Sequence, residues 1–599
     1  MSYVAPTKDM LFVLNELAGF REIRQLPAFE DATDETVQAV IGENARFMSE
    51  VVAPLNRSGD IDSAKWSNGE VTTAPGFKAA FRSFVEAGWQ GVQHPAQYGG
   101  QNLPKVVAAP CMEIMQAANL SFALCPLLTD GAIEALLVAG SDEQKDAYLG
   151  RLIDGSWTGT MNLTEPQAGS DLAQVRTRAV PQGDGTHRLF GQKIYITYGE
   201  HDLADNIVHL VLARTPDAPA GVKGMSLFIV PKFLFDRDGR LGKRNDIYCA
   251  SIEHKLGIKA SPTCVLIFGD GKGDAGAGAI GTVIGEENRG LEYMFIMMNA
   301  ARFQVGMQGI AISERAYQKA VAHAKDRVQS RAVEGSSGPV SIIHHPDVRR
   351  MLMFMRSNTE AARAVAYVAA GYNDIALHHP DPERRASAMS AYEYLVPIVK
   401  GWSTEMSIDV TSTGVQVHGG MGFIEETGAA QYYRDARILS IYEGTTAIQA
   451  NDLVGRKTAR DGGTVARAFI AQMRAAAAEA SARGGELHAI AKRLSVAVDS
   501  YESVIDYIVE EYRSDIRSAF AGSVPYLKLA GIVHGGWQMT RAALVAGRLI
   551  DEGIDVEFAR AKIATARFFG DHMLVTVSSL AESVLSGSTG TLALAEDQF

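Results

Sequence analysis

The sequence predicts a chain of four consecutive parts: a helical domain, a mostly β domain, a second helical bundle and a further helical block. Three observations carry this. Residues 36–156 place apolar residues three and four apart, as in "DETVQAVIGENARFMSEVVAPLN" and "DEQKDAYLGRLIDGSW", the spacing of a helix face. From Trp157 the pattern changes to short apolar runs suited to strands, "NIVHLVLAR", "GMSLFIVP" and "TCVLIFGD", with a hairpin signal at Gly183-Asp184-Gly185. From Leu291 long helical segments return and, after Asp461-Gly462-Gly463, continue to about residue 586.

These changes set the expected boundaries. Residues 1–35 form a short helical extension, 36–156 an α domain, 157–285 a β domain, 286–462 a helical bundle and 463–599 an extra helical domain. Pro54 predicts a helix stop. The Gly-rich segment 269–281 reads as a loop or connector, and the tail "SGSTGTLALAEDQF" as loosely ordered.

Composition narrows the classes. The chain has 599 residues, 47% hydrophobic and 21% charged, which fits a soluble globular protein with large cores. A net charge of −12 argues against a basic nucleic-acid-binding surface, so no nucleic-acid partner is expected. Cys111, Cys125, Cys249 and Cys264 form no C-x-x-C pair, so neither a zinc site nor a redox motif is expected, and the chain reads as reduced and cytoplasmic. Lys8, Asp9 and Glu16 interrupt the N-terminal apolar residues, unlike a signal peptide. No membrane-spanning helix is expected; the Ala-rich 464–483 stretch comes nearest, broken by Arg467, Arg474, Glu479 and Arg483.

Five runs offer chemistry. In "MNLTEPQAGSDL", 161–172, Gly169 allows close backbone approach and Ser170 offers a hydroxyl and an N–H to a phosphate, although turns use the same residue types. In "GQKIYITYGEHD", 191–202, strand alternation puts Tyr195 and Thr197 on one face. An aromatic and a hydroxyl there suit a planar ring, or an ordinary amphipathic strand. "KLGIKASPT" and "IGEENRGLEYM" alone are strands or turns with charges. The fifth run, 414–449, has a Gly-rich turn at Gly419, Gly420 and Gly422 that is neither a P-loop nor a dinucleotide fingerprint. Its "IYEGT" places Glu443 where an acid could act as a base or interact with a helix dipole.

Together these runs resemble the acyl-CoA dehydrogenase family of flavoproteins. The resemblance covers about residues 36–460 in order, through "QYGG", "LTEPQAGSD", "GQKIYIT", "KLGIKAS", "GEENRGL", Arg302, Arg327, "QVHGGMGF", "RDARI" and "IYEGT". The length and the helices after 463 resemble its longer members, and the termini resemble the 3-(methylthio)propanoyl-CoA dehydrogenase-like branch.

The resemblance implies an acyl-CoA dehydrogenase-like fold: an N-terminal α-helical domain, a middle β-barrel-like domain, a C-terminal α-helical bundle and an additional C-terminal helical domain. It implies FAD as cofactor, lined by Met161, Leu163, Thr164, Gly169 and Ser170, with Tyr195 and Thr197 at the isoalloxazine and Thr445 on the cofactor side. Arg327 and Gln329 would reach the FAD of a neighbouring subunit, and Gln416, Gly419 and Gly420 its adenine end, so a homodimer at least is expected. Ser170, Arg302, Tyr442 and Gly444 would meet the substrate, and residues 115–128 would wall the acyl pocket. Glu443 would abstract the α-proton; the alternative base position holds Ala301. An electron-transferring flavoprotein would accept the electrons. The chain departs from the family at Tyr195 for Trp, Tyr198 for Asn, Ser330-Arg331 for Phe-Gly, and Ala447 for a longer polar residue. A long-chain dehydrogenase, an acyl-CoA oxidase and a DNA-binding flavoprotein of the alkylation-response type are the competing readings.

Overall fold

The computed structural model describes residues 3–599. The first helix, Thr7–Glu16, packs against the last helical block: Lys8 pairs with Asp555 at 2.8 Å, and Arg548 with Glu16 at 2.8 Å. The predicted extension thus ties the two ends of the chain together.

The N-terminal helices are Asp34–Phe47, Phe77–Glu86, Lys105–Ala118, Leu120–Ala139 and Asp142–Asp154. Thr33 caps the first, its side chain accepting from the Thr36 N–H, and Ser141 and Gln144 form a capping box at the last. A five-residue π turn, Met48–Val52, extends the first helix before Pro54, and a new helix starts at Leu55. Leu120–Ala139 is mostly apolar around its circumference because Leu120–Ile133 is buried throughout. By length and composition it could cross a membrane, so it, not 464–483, is the nearest such segment; 78% of its apolar window lies inside the protein.

The predicted strands form one eight-stranded sheet. Its path runs Ile247–Ile252, Thr263–Phe268, His187–Thr197, Ala279–Ile284, Ser226–Pro231, Asn206–Ala213 and Trp157–Asn162, with Arg178–Pro181 joined to His187–Thr197. The hairpin expected at Gly183-Asp184-Gly185 is present, pairing Pro181 with His187. Trp157–Asn162 lies parallel to its neighbour and against Leu120–Ala139. Contact is so close at Gly159 that a Cβ would stand 2.5 Å from the Ala132 Cβ. The Gly-rich 269–281 segment is part loop and part strand. Asp246 gathers the N–H groups of Gly271, Lys272, Gly273 and Gly278 at 2.7–3.2 Å, and strand begins at Ala279.

The bundle consists of three long helices, Gly290–Asp326, Pro346–His378 and Pro382–His418, followed by Ala429–Ala436 and Thr446–Asp452. Gly306 and Gly309 let the first and third cross closely: Cβ atoms there would lie 2.6 Å from the Val399 carbonyl oxygen and 2.5 Å from that of Ser403. This crossing sets residues near 302 beside residues near 400. The last block is Thr464–Arg483, Gly485–Ser514, Ser523–Asp551, Val556–His572 and Val577–Ser586. It docks on the bundle through Gly531 and Gly535, both packed against Trp402, so the "HGGW" run at 534–537 is a buried helix junction. The tail is exposed but holds short helical turns at Ser588–Thr591 and Glu596–Gln598.

Candidate active site

The turn that follows Ala429–Ala436 carries two successive residues with positive φ, Glu443 at +55° and Gly444 at +87°. Glycine adopts this region freely; glutamate does so at roughly 1–2 kcal/mol. The turn is held by its main-chain oxygens. Lys400 Nζ donates to the Gly444 carbonyl at 2.6 Å, and Gln449 Nε2 reaches the Glu443 carbonyl at 3.3 Å. Thr445 caps Thr446–Asp452 by accepting from the Ile448 N–H at 3.3 Å, and Thr446 donates to Glu405. Tyr442 donates its hydroxyl to Gln308.

Glu443 is half-buried. Burial raises its pKa to about 7, against the lowering influence of the Arg302 and Lys400 charges. Arg302 is buried, stands over the Phe295 ring, and leaves its Nε without an acceptor. Ala301 beside it is fully buried and offers no acid. The 115–128 segment packs on the helix that carries Arg302: Gln116 Nε2 donates to the Gln304 carbonyl at 3.3 Å. Gln116 Oε1, Asn119 Nδ2, Gln304 Oε1, Gln308 Nε2, Gln449 Oε1 and Ser403 Oγ are all buried without a protein partner. Buried polar atoms are normally satisfied, and three of the unpartnered ones, Arg302 Nε, Gln308 Nε2 and Gln449 Oε1, belong to residues that touch the Tyr442–Gly444 turn, which suits a polar ligand there.

The residues assigned to a flavin fall into two groups. Met161, Leu163, Thr164, Gly169 and Ser170 follow the Trp157–Asn162 strand into a loop that Glu165 locks in place. Glu165 accepts from Lys193, the Thr177 hydroxyl and the Arg176 N–H at 2.6–2.8 Å; burial opposes its ionisation, but these partners hold its pKa at about 2. The motif's acid therefore shapes the loop, leaving Gly169 with nothing within 4 Å of a Cβ. Tyr195 and Thr197 border it, but not through unbroken alternation. The pairing with Thr263–Phe268 shifts register here, and Tyr195 has φ +60°. This bulge leaves Tyr195 61% exposed, with Ile196 buried and Thr197 half-buried. An exposed ring beside an open glycine loop suits a flat ligand. Tyr198, where the family has Asn, is buried and donates to the Ser121 carbonyl at 2.8 Å.

The second group lies at the far end of the bundle. His323 and His418 stack with ring centroids 4.4 Å apart, bringing together the helix ends that carry Arg327 and Gln329, and Gln416, Gly419 and Gly420. All five are exposed, and no Cβ contact would arise at either glycine. Arg327 lies 25 residues beyond Arg302 on one helix, about 37 Å away. These residues and Glu443 do not meet around one point of the chain.

Sequence reasoning did not single out Lys400, Gln308, Gln449 or Glu165 as parts of this arrangement. Lys400 had a signal: it is the one charge in the apolar run "YLVPIVKGW". The "KLGIKAS" and "RDARI" runs prove to meet each other. Ile258 N–H donates to Asp435 at 2.6 Å, and Arg434 donates to the Leu256 carbonyl at 3.0 Å and pairs with Asp60. They clamp the β domain on the bundle.

Comparison with known proteins agrees with this architecture. Residues 34–156, 160–270 and 288–457 match the N-terminal, middle and C-terminal domains of acyl-CoA dehydrogenases, and 469–595 matches the acetyl-CoA dehydrogenase C-terminal-like domain. The chain is 52% identical to the 3-methylmercaptopropionyl-CoA dehydrogenase of Ruegeria pomeroyi over 97% of both chains. It is 34% identical to a broad-specificity linear acyl-CoA dehydrogenase of Mycobacterium tuberculosis over the whole of both. The fold resembles the Bacillus anthracis acyl-CoA dehydrogenase complexed with FAD, with TM-score 0.73, 22% identity, and 98% and 92% of the two chains covered. The chain belongs to the acyl-CoA dehydrogenase family.

Proposed function

We propose that this chain uses FAD to desaturate a short thioether acyl-CoA, 3-(methylthio)propanoyl-CoA, with Glu443 as the base that removes the α-proton. The observation that carries this reading is the Glu443 carboxyl group, raised to about 7 by burial and set among unpartnered polar atoms. A base poised near the working pH combines a useful ionised fraction with driving force for proton transfer. FAD, when bound, supplies the acceptor for the β-hydride.

The chain's own residues do the rest. Lys400 and Gln449 fix the turn, and no carbonyl or side chain among the described residues accepts from the Glu443 N–H, which leaves it for the thioester oxygen as negative charge develops there. Arg302 and Tyr442 border the substrate side, and Gly444 keeps the space beside the base free of a side chain. Met161, Leu163, Thr164, Gly169, Ser170, Tyr195, Thr197 and Thr445 hold the flavin end, and the exposed Tyr195 ring and open Gly169 backbone fit that task.

The thioether acyl group is favoured by the 52% identity with the Ruegeria pomeroyi enzyme, a straight chain by relatives such as the Syntrophomonas wolfei butyryl-CoA dehydrogenase at 32%. A panel of acyl-CoA thioesters decides, assayed with electron-transferring flavoprotein and with oxygen as acceptors. The expected result is highest kcat/KM for 3-(methylthio)propanoyl-CoA and faster turnover with the flavoprotein. A far lower kcat/KM than for every straight-chain substrate overturns the substrate, and preferred reaction with oxygen makes the enzyme an oxidase.

Arg327, Gln329, Gln416, Gly419 and Gly420 serve the FAD of a second copy, since about 37 Å of helix separates Arg327 from Arg302. Sedimentation equilibrium of the FAD-loaded protein is expected to give a dimer or a larger even assembly. A monomer that keeps full activity at nanomolar concentration rules the shared site out.

A further inference from the structure

We infer that Lys400 is a positioning residue for the base: its ammonium group holds the Glu443–Gly444 turn by the Gly444 carbonyl and supplies a positive charge that keeps the Glu443 carboxyl ionised. The inference rests on Glu443 being the base.

Lys400 is fully buried in the middle of Pro382–His418, among Ile398, Val399 and Trp402. A lysine inside an apolar helix face destabilises the fold unless something pairs with it. Its ammonium group has three donors. One goes to the Gly444 carbonyl at 2.6 Å, and no other side chain or carbonyl of the described residues accepts from the remaining two. The ammonium group therefore makes no hydrogen bond to its own helix. It reaches across to a turn in which a glutamate and a glycine both adopt positive φ.

The charges facing it come from every element around the site. Glu443 approaches from the turn, Arg302 from Gly290–Asp326, and Glu405 from its own helix, one turn on and already bound to Thr446. Asp452, at the end of Thr446–Asp452, and Arg456, just beyond it, act on Arg302. From Ser523–Asp551 comes the apolar Leu527, against Gly401. Two cations thus flank one carboxyl group. Burial raises the Glu443 pKa, and Arg302 and Lys400 restrain that rise. Burial in turn lowers the Lys400 pKa to about 7, partly offset by Glu443.

The sign of the effect follows. Removing a cation beside a carboxylate favours the protonated acid, so the Glu443 pKa must rise. A lysine that merely filled space would lower the rate equally at every pH when replaced. The test is the pH profile of kcat/KM for the FAD-loaded enzyme with Lys400 replaced three ways, each variant checked for FAD content and thermal unfolding. Lys400→Met and Lys400→Gln are expected to move the acid limb upward by about one unit or more. Lys400→Gln keeps an amide donor for the Gly444 carbonyl, so its high-pH plateau should stay closer to wild type than that of Lys400→Met. Lys400→Arg keeps the charge, and its limb should stay in place. An acid limb that stays put in both neutral variants overturns the proposal. If neither neutral variant folds, a limb displaced upward in Lys400→Arg overturns it as well, and an unmoved one supports it. Glu443→Gln separates the two readings. Turnover retained there removes the base assignment, whereas turnover lost there with an immobile limb in the lysine variants removes only the role of Lys400.

Discussion

Glu443→Gln is expected to keep its FAD and lose dehydrogenation by about 10²–10⁴-fold, the range a positioned general base contributes. The substitution is nearly isosteric, and the contacts that shape the turn use main-chain oxygens: Lys400 meets the Gly444 carbonyl and Gln449 the Glu443 carbonyl. Glutamine at positive φ carries the same strain as glutamate, so the turn should survive. What disappears is the proton acceptor, and the position that serves as base in some relatives holds Ala301, with no acid to replace it. Apart from Thr445, whose side chain stays engaged in capping Thr446–Asp452, the flavin-side residues of this copy lie on other elements, the 161–170 loop and the strand ending at Thr197, so the flavin absorption spectrum should be retained. The measurement is turnover of purified variant, corrected for flavin content. Near-wild-type turnover sinks the assignment.

Why this much was legible in the sequence is a matter of local chemistry. Glu443, the open Gly169 loop and the 183–185 hairpin each depend on residues within a few positions, and their motifs survive translation into structure intact. Strand alternation at Tyr195 did not: the bulge there depends on how the facing strand from Thr263 pairs, which no local pattern records. Lys400 meets its acceptor 44 positions later, and Arg434 meets Asp60 across 374. Such pairings exist only once the helices cross. The glutamate of "LTEPQAGSD" shows the reverse limit. Its place in a cofactor motif says nothing of its job, which is to hold a loop through Lys193 and Thr177.

The five expected segments were drawn from changes in pattern, and one buried cluster shows how little they behave as separate pieces. Arg363, 1% exposed, donates to Glu113, Asp9 and Glu314 at 2.6–3.1 Å. Asp9 also accepts from Lys562 at 2.5 Å, Lys562 donates to Glu360 at 2.7 Å, and Tyr367 donates to Glu113 at 2.7 Å. The carboxylates come from the N-terminal extension, the α domain and the bundle, and Lys562 from the last block. Arg363→Met leaves buried acids without their main counter-charge, and removing one partner of such a network costs about 3–5 kcal/mol. By contrast Arg474, 49% exposed at its side chain, pairs with Asp499 and Glu502 on the surface, and its loss should cost no more than about 1 kcal/mol. The two variants remove a similar number of ion pairs and differ in burial. Arg363→Met should unfold several degrees lower and release the N-terminal helix to proteolysis, because Asp9 loses one of its two cations. Arg474→Ala should match wild type in both. Equal melting temperatures for all three proteins would mean that the cluster gives specificity of docking without stability, since burying its charges already costs as much as their attraction returns.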